Sequence, residues 1–117
     1  MADSDPDCLL CRIAAGEIPS DRVHESDDVL AFRDINPRAP THVLVIPRRH
    51  IPDAHSLTES EGPLLARIFT VIRDIADSAG LDRGYRVVTN IGPESGQTVA
   101  HLHFHLLGGR SMSWPPG

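Results

Sequence analysis

The sequence predicts an α+β fold, a mainly antiparallel sheet of about five strands with one long helix and one short N-terminal helix. Three observations carry this. "HLHFHLL", His101 to Leu107, alternates polar and apolar residues with the period of a strand, so that Leu102, Phe104 and Leu106 face a core and the histidines face away from it. The segment from Ser60 to Ala79 places Leu64, Leu65, Ile68, Phe69, Ile72, Ile75, Ala76 and Ala79 at helical spacing. Short runs rich in β-branched residues are separated by Gly, Pro and Asp clusters, which is hairpin punctuation.

In chain order, Asp5-Pro6 reads as an N-cap and first-turn proline for a short helix through Ala15, stopped by Gly16. Its spacing puts Cys8 and Cys11 on one face. Arg22 to Glu25 and Val29 to Asp34, parted by "SDD", read as a hairpin, and "THVLVI", Thr41 to Ile46, as a third strand closed by Pro47. The long helix follows and ends at Gly80. Tyr85 to Asn90 and Val99 to Leu107 complete the sheet, joined by the loop "IGPESGQT". The two prolines of "RSMSWPPG" stop a strand, so this tail must lie across a surface or a partner.

With 117 residues, 40% of them hydrophobic, the chain can bury one modest core, and a single domain over 1–117 is expected. The formal charge of −5 argues against a general nucleic-acid binder. There is no apolar run of the roughly 20 residues a membrane span needs, and "MADSDPD" has no secretory character, so a cytoplasmic location without a membrane partner is expected. The Cys8-Leu-Leu-Cys11 pair is no disulfide framework; in a reducing compartment such a pair binds metal or stays free.

Three chemistries compete for the histidines. They can form a polar strand face, or contribute a His-x-His metal pair, or perform nucleophilic catalysis as neutral imidazole. Alternate residues on a strand lie ~6.6 Å apart and the outer two ~13 Å, so one ion accommodates two neighbouring rings better than all three. In the preceding loop, Gly92 and Gly96 allow backbone N–H groups close to a ligand, while Gln97, Thr98 and Asn90 add neutral donors. Such a cradle suits a phosphodiester-like centre.

At "GQTVAHLHFHLL" the chain resembles the histidine triad (HIT) superfamily of nucleotide hydrolases and transferases. "GEIPSDRVHESDDVLAFRDINPRAPTHVLVIPRRHI", "GYRVVTNIG" and "LLGGRSMSWPPG" look like its Hint branch, the purine nucleoside phosphoramidases, so that a HIT-like fold is implied. The resemblance implies that His103 is the nucleophile, which attacks the α-phosphorus of an AMP-amine or related purine phosphoramidate and forms a nucleotidyl-histidine. His105 would then donate to a phosphate oxygen, and His101 with His42 would belong to the relay that orients His103. Asn90 and Gly96-Gln97-Thr98 would hold the phosphate, with the Thr98 hydroxyl near the leaving nitrogen. Asp34 would bind the ribose hydroxyls, and Leu9, Leu10, Ile13, Ile18, Phe32 and Ile35 would sandwich an AMP- or GMP-type purine. Trp114, within a tail at 108–117, would reach the partner subunit's site in a homodimer. Thr98 replaces a frequent serine, and Ser113 stands where animal members often have histidine. From the residues alone, Asp34 would suit a turn, the apolar residues a core, and Trp114 packing.

Family members with an N-terminal Cys-x-x-Cys bind zinc through it and two histidines; the matching residues are Cys8, Cys11, His50 and His101. A Cys₂His₂ set closes a tetrahedral site, so this zinc would be structural and no catalytic cofactor is implied. His101 is thereby claimed by both the metal and the relay. A dinucleoside polyphosphate hydrolase of the same superfamily is the alternative enzyme, and a zinc-stabilised nucleotide-binding or interaction module with little turnover is the alternative class. His24 and His55 read as surface residues.

Overall fold

Helix α1, Leu9–Ala14, begins three residues later than a cap at Asp5 predicts. The reason is local. The Asp5 carboxylate accepts the Asp7 N–H at 2.9 Å and its carbonyl accepts the Cys8 N–H at 3.0 Å, which closes a turn ahead of the helix. Cys8 becomes the N-cap, its Sγ accepting the Cys11 N–H at 3.3 Å. At the other end Gly16, with φ of +81°, supplies the left-handed residue expected there. These features come from a computed structural model that describes residues 4–117.

Strands β1 (Arg22–Glu25), β2 (Val29–Arg33), β3 (Thr41–Pro47), β4 (Tyr85–Val88) and β5 (Phe104–Gly108) form one antiparallel sheet in the order β1-β2-β3-β5-β4. The long helix α2, Gly62–Ser78, starts after a 3₁₀ turn at Glu59–Glu61, where the Thr58 N–H donates to the Glu61 carboxylate at 2.6 Å. Gly80, with φ of +71°, follows its C-terminus.

Strand alternation sorts the side chains onto two faces. Val29, Ala31, Val43, Val45, Phe104 and Leu106 pack under Leu64, Ile68, Val71, Ile72 and Ala76 of α2. Leu30, Phe32 and Ile46 point the opposite way and pack with Leu10, Cys11 and Ile13 of α1. The sheet is therefore covered by α2 on one face and by the smaller α1 on part of the other. His105 pairs across from Leu44, and Leu44 packs on the α1 side, so the histidines share their face with α1.

The strand expected over Val99 to Leu107 is shorter than predicted. Its ladder begins at Phe104, so His101 and His103 precede β5 and only His105 lies within it. The backbone there is held by tertiary partners instead: the Leu102 N–H donates to the Ile51 carbonyl at 2.6 Å, and the Thr89 hydroxyl donates to the His103 carbonyl at 2.9 Å. Alternation nevertheless continues, because Leu102 remains in the α2-side core. Among the described residues no helix is long and apolar enough to cross a membrane.

Candidate functional site

The His101 ring is fully buried and turned away from the other two triad histidines, toward the N-terminal helix. Its Nδ1 lies 3.3 Å from Cys8 Sγ and 3.5 Å from Cys11 Sγ, and Cys11 Sγ lies 3.3 Å from His50 Nδ1. All four donor atoms fall within 4.8 Å of one another. A tetrahedral zinc with its usual Zn–S and Zn–N bonds sets S···N edges of about 3.5 Å, so the four residues fit such an ion. His101 Nε2 stands 2.9 Å from the Pro47 carbonyl, which can only accept. The proton is thus on Nε2, leaving the Nδ1 lone pair for a metal, with the orienting bond typical of metal-bound histidine. Without a metal, burial foremost pushes His101 down to about 4, and burial foremost raises the Cys11 thiol.

These shifts imply a pH dependence of stability in the metal-free chain. Burial is likewise the main cause that lowers His42 and His105, with His103 and His42 adding to the shift at His105. A histidine lowered in the folded state binds fewer protons there than when unfolded, so stability is full above about 6.5 and is lost as the pH falls below it. For His101, moving from 6.5 to about 4 on folding, the loss reaches about 2 kcal/mol between pH 6.5 and pH 4.5. Glu61, lowered to about 2 mainly by the Ser60 hydroxyl, weakens the fold only as the pH falls below about 4.5. Urea midpoints of chelated protein should therefore decline from about pH 6.5 downward; a flat profile to pH 4.5 would contradict the buried neutral histidines.

The remaining histidines form a second group. His103 Nδ1 lies 2.6 Å from the His101 carbonyl, so Nδ1 carries the proton and Nε2 keeps its lone pair. His42 Nδ1 accepts the Arg38 N–H at 3.0 Å, which places the His42 proton on Nε2. That nitrogen is 2.9 Å from His105 Nδ1 and 3.3 Å from Asp34 Oδ2. His105 therefore accepts at Nδ1 and presents an Nε2–H, with the His103 and His105 ring centroids 5.2 Å apart. One ring offers a lone pair and its neighbour a donor, the pair of groups a nucleophilic displacement at phosphorus needs.

This geometry divides the relay differently from the sequence expectation. His42 serves His105 rather than His103, and His101 reaches His103 through its main-chain carbonyl, its ring being committed to the cysteines. Gln97 is also redirected. Its Oε1 accepts the Gly92 N–H at 2.9 Å while its Nε2 donates to the Pro52 and Val99 carbonyls at 2.9 and 3.1 Å, so the side-chain amide shapes the loop. Gly96 takes a φ of +98° that a side chain would resist, Thr98 is exposed, and Asn90 is half-buried after β4.

The residues expected around a purine fall into two groups. Leu10, Ile13 and Phe32 are buried in the α1-side core, with Ile18 half-buried beside them. Leu9 and Ile35 are exposed, Ile35 at 92%, and so is Trp114 at 82%. Asp34 holds a turn through the Asn36 N–H at 2.9 Å, as a turn carboxylate would, and also reaches His42. It is among the residues lining a cleft of about 400 Å³, together with Val71, Asp74 and Ile75 of α2. The orienting partners Pro47, Ile51 and Arg38 act through main-chain atoms and leave no signal in residue identity.

A five-stranded antiparallel sheet carrying a His-x-His-x-His run, in which the middle ring keeps an imidazole lone pair free, defines a histidine triad protein. The chain belongs to the HIT family, the HIT domain matching residues 15–112. It is 50% identical to an uncharacterized HIT-like protein of Synechococcus elongatus over 111 residues, covering 95% of this chain and 97% of the relative. It is 46% identical over 115 residues to a 14 kDa zinc-binding protein of Zea mays, covering 97% and 90%. A HIT family hydrolase from Legionella pneumophila superposes with a TM-score of 0.93 at 49% identity, covering 95% of this chain and all of that one.

Proposed function

We propose that the protein is a nucleotide hydrolase of the Hint branch, cleaving the P–N bond of purine nucleoside 5′-phosphoramidates. The observation that carries this is the His103 ring, whose Nδ1–H is held by the His101 carbonyl at 2.6 Å so that Nε2 is free to attack. Nε2 bonds to the α-phosphorus, the P–N bond breaks, and the leaving nitrogen takes a proton from solvent, which the later attack by water returns. Water then cleaves the His–P bond, giving the nucleoside monophosphate and neutral His103. His105 Nε2–H donates to a phosphate oxygen throughout, held by the neutral His42 behind it. Burial keeps His42 and His105 in this neutral form at pH 7.

The Legionella relative, a HIT family hydrolase, supports the reaction class, and the maize relative, a zinc-binding protein, supports a structural zinc at Cys8, Cys11, His50 and His101. Thr98 lies beside the leaving nitrogen in this reading, Asp34 takes the ribose, and exposed Leu9 and Ile35 flank the base. The single HIT domain, a cytoplasmic location, and a homodimer in which Trp114 and the tail meet the partner's site belong to the same proposal. Product analysis tests it: adenosine 5′-phosphoramidate should yield AMP and ammonia. Release of nucleotides from diadenosine polyphosphates alone would favour the dinucleotide hydrolase, and AMP binding without turnover the binding module.

A further inference from the structure

One peptide group sets the tautomer of the nucleophile. The carbonyl of the His101–Leu102 peptide accepts His103 Nδ1–H at 2.6 Å, and the N–H of the same peptide donates to the Ile51 carbonyl at 2.6 Å. Both anchors of this peptide adjoin the four-donor cluster. The His101 ring is one of its members, and Ile51 directly follows another, His50. No ladder bond from β3 or β4 reaches back to this peptide, because the paired register of β5 starts at Phe104. Its orientation therefore depends on the ring of His101, fixed at Nε2 by Pro47, on the Ile51 contact, and on the Thr89 tether one residue on.

We propose that Cys8, Cys11 and His50, when a zinc ion joins them to His101, are positioning residues for the nucleophile, acting through the His101–Leu102 peptide. The ion takes no part in bond making. If the peptide tilts, His103 loses its acceptor and can move its proton from Nδ1 to Nε2, which removes the lone pair that attacks. The two demands on His101 are then complementary: its ring serves the cluster and its carbonyl serves His103. The consequence for rate rests on the proposed phosphoramidase reaction, whereas the consequence for the tautomer does not.

The experiment compares the full chain, ¹⁵N-labelled at histidine, in three states: loaded with zinc, stripped by chelator, and reloaded. The two-bond ¹H–¹⁵N spectrum of the His103 ring is recorded at mildly alkaline pH, together with the single-turnover rate of adduct formation, AMP affinity and far-UV circular dichroism. Loaded protein should show the Nδ1–H tautomer alone. Stripping should produce a tautomer mixture and slow adduct formation about 10- to 100-fold while AMP affinity changes little, and reloading should reverse both effects. Cys11→Ser should resemble the stripped chain, and Cys11→His, which keeps a ligand, should recover the spectrum with zinc. An unchanged His103 spectrum in a folded, stripped chain overturns the proposal and leaves the cluster a staple only. Should the stripped chain unfold, zinc-loaded His50→Ala, which retains three donors but frees the Ile51 side, is read by the same criterion. A loaded wild type with the Nδ1–H tautomer but no adduct counts against the phosphoramidase reaction, and the ring spectra still decide the positioning.

Discussion

Replacement of His103 by alanine should reduce turnover of adenosine 5′-phosphoramidate by on the order of 10⁴-fold and eliminate the AMP adduct seen by intact mass in the wild type. The expectation follows from the uniqueness of the His103 ring within its group. His105 Nδ1 is occupied by His42 at 2.9 Å and its other nitrogen bears a proton, so it offers a hydrogen bond and no lone pair. The His101 ring is enclosed by the cysteines and Pro47. Alanine would remove the proposed nucleophile while leaving the half-buried position, the His101 carbonyl and His105, the proposed phosphate donor, in place, so AMP affinity should change far less than the rate. Adduct formation in His103→Ala would transfer the nucleophilic role to another residue. Comparable turnover without any adduct would replace the covalent route with direct attack by water.

Removal of zinc should lower the thermal midpoint by about 15 °C, and protein purified without chelator should contain about one zinc per chain. Zinc present at about 1,000 times its dissociation constant stabilises the folded chain by about 4 kcal/mol, and each kcal/mol moves a chain of this size by about 4 °C. The cluster has this leverage because its donors come from three separated parts of the chain: α1 and its cap, the segment after β3, and the residues before β5. Without an ion, two thiols and a neutral imidazole remain buried together, joined to one another only by weak sulfur hydrogen bonds. Calorimetric melts with and without chelator, alongside metal analysis, measure the effect. Cys11→Ser should show a low midpoint that chelator no longer alters. An unchanged midpoint in metal-free wild type would make the cysteines an ordinary reduced pair in the α1-side core.

The elements differ in how far their own residues specify them. The helix over Gly62–Ser78 was legible because its apolar stripe and its terminal Gly80 are local signals that the core reinforces. Strands β1 to β3 fall where β-branched and apolar runs place them, with Pro47 adding one residue to β3 and Asp34 leaving β2 for the turn that follows. Alternation overstates the length of the strand carrying the triad, because it persists through Leu102 although ladder pairing does not. Periodicity reports which face is buried, and it is blind to whether a neighbouring strand is present to accept the backbone bonds. The cap of α1 is not legible for a related reason: Asp5 is a good cap and an equally good turn residue, and only the chain's path decides between them.

The candidate site divides along the same line. Residue identity alone determined that three histidines, a glycine loop and a Cys-x-x-Cys pair would be available, and the spacing of Leu102, Phe104 and Leu106 determined which face would be core. Tertiary structure decided the partners: His42 to His105, Gln97 to its own loop, the His101 ring to the cysteines, and the His101 carbonyl to His103. Imidazole has two nitrogens with interchangeable roles, and the choice between donor and acceptor belongs to whatever stands opposite each one. Here those neighbours are main-chain groups of Pro47, Arg38 and His101. Every residue except proline has the same amide and carbonyl, so their positions are a property of the folded backbone and cannot be read from residue type.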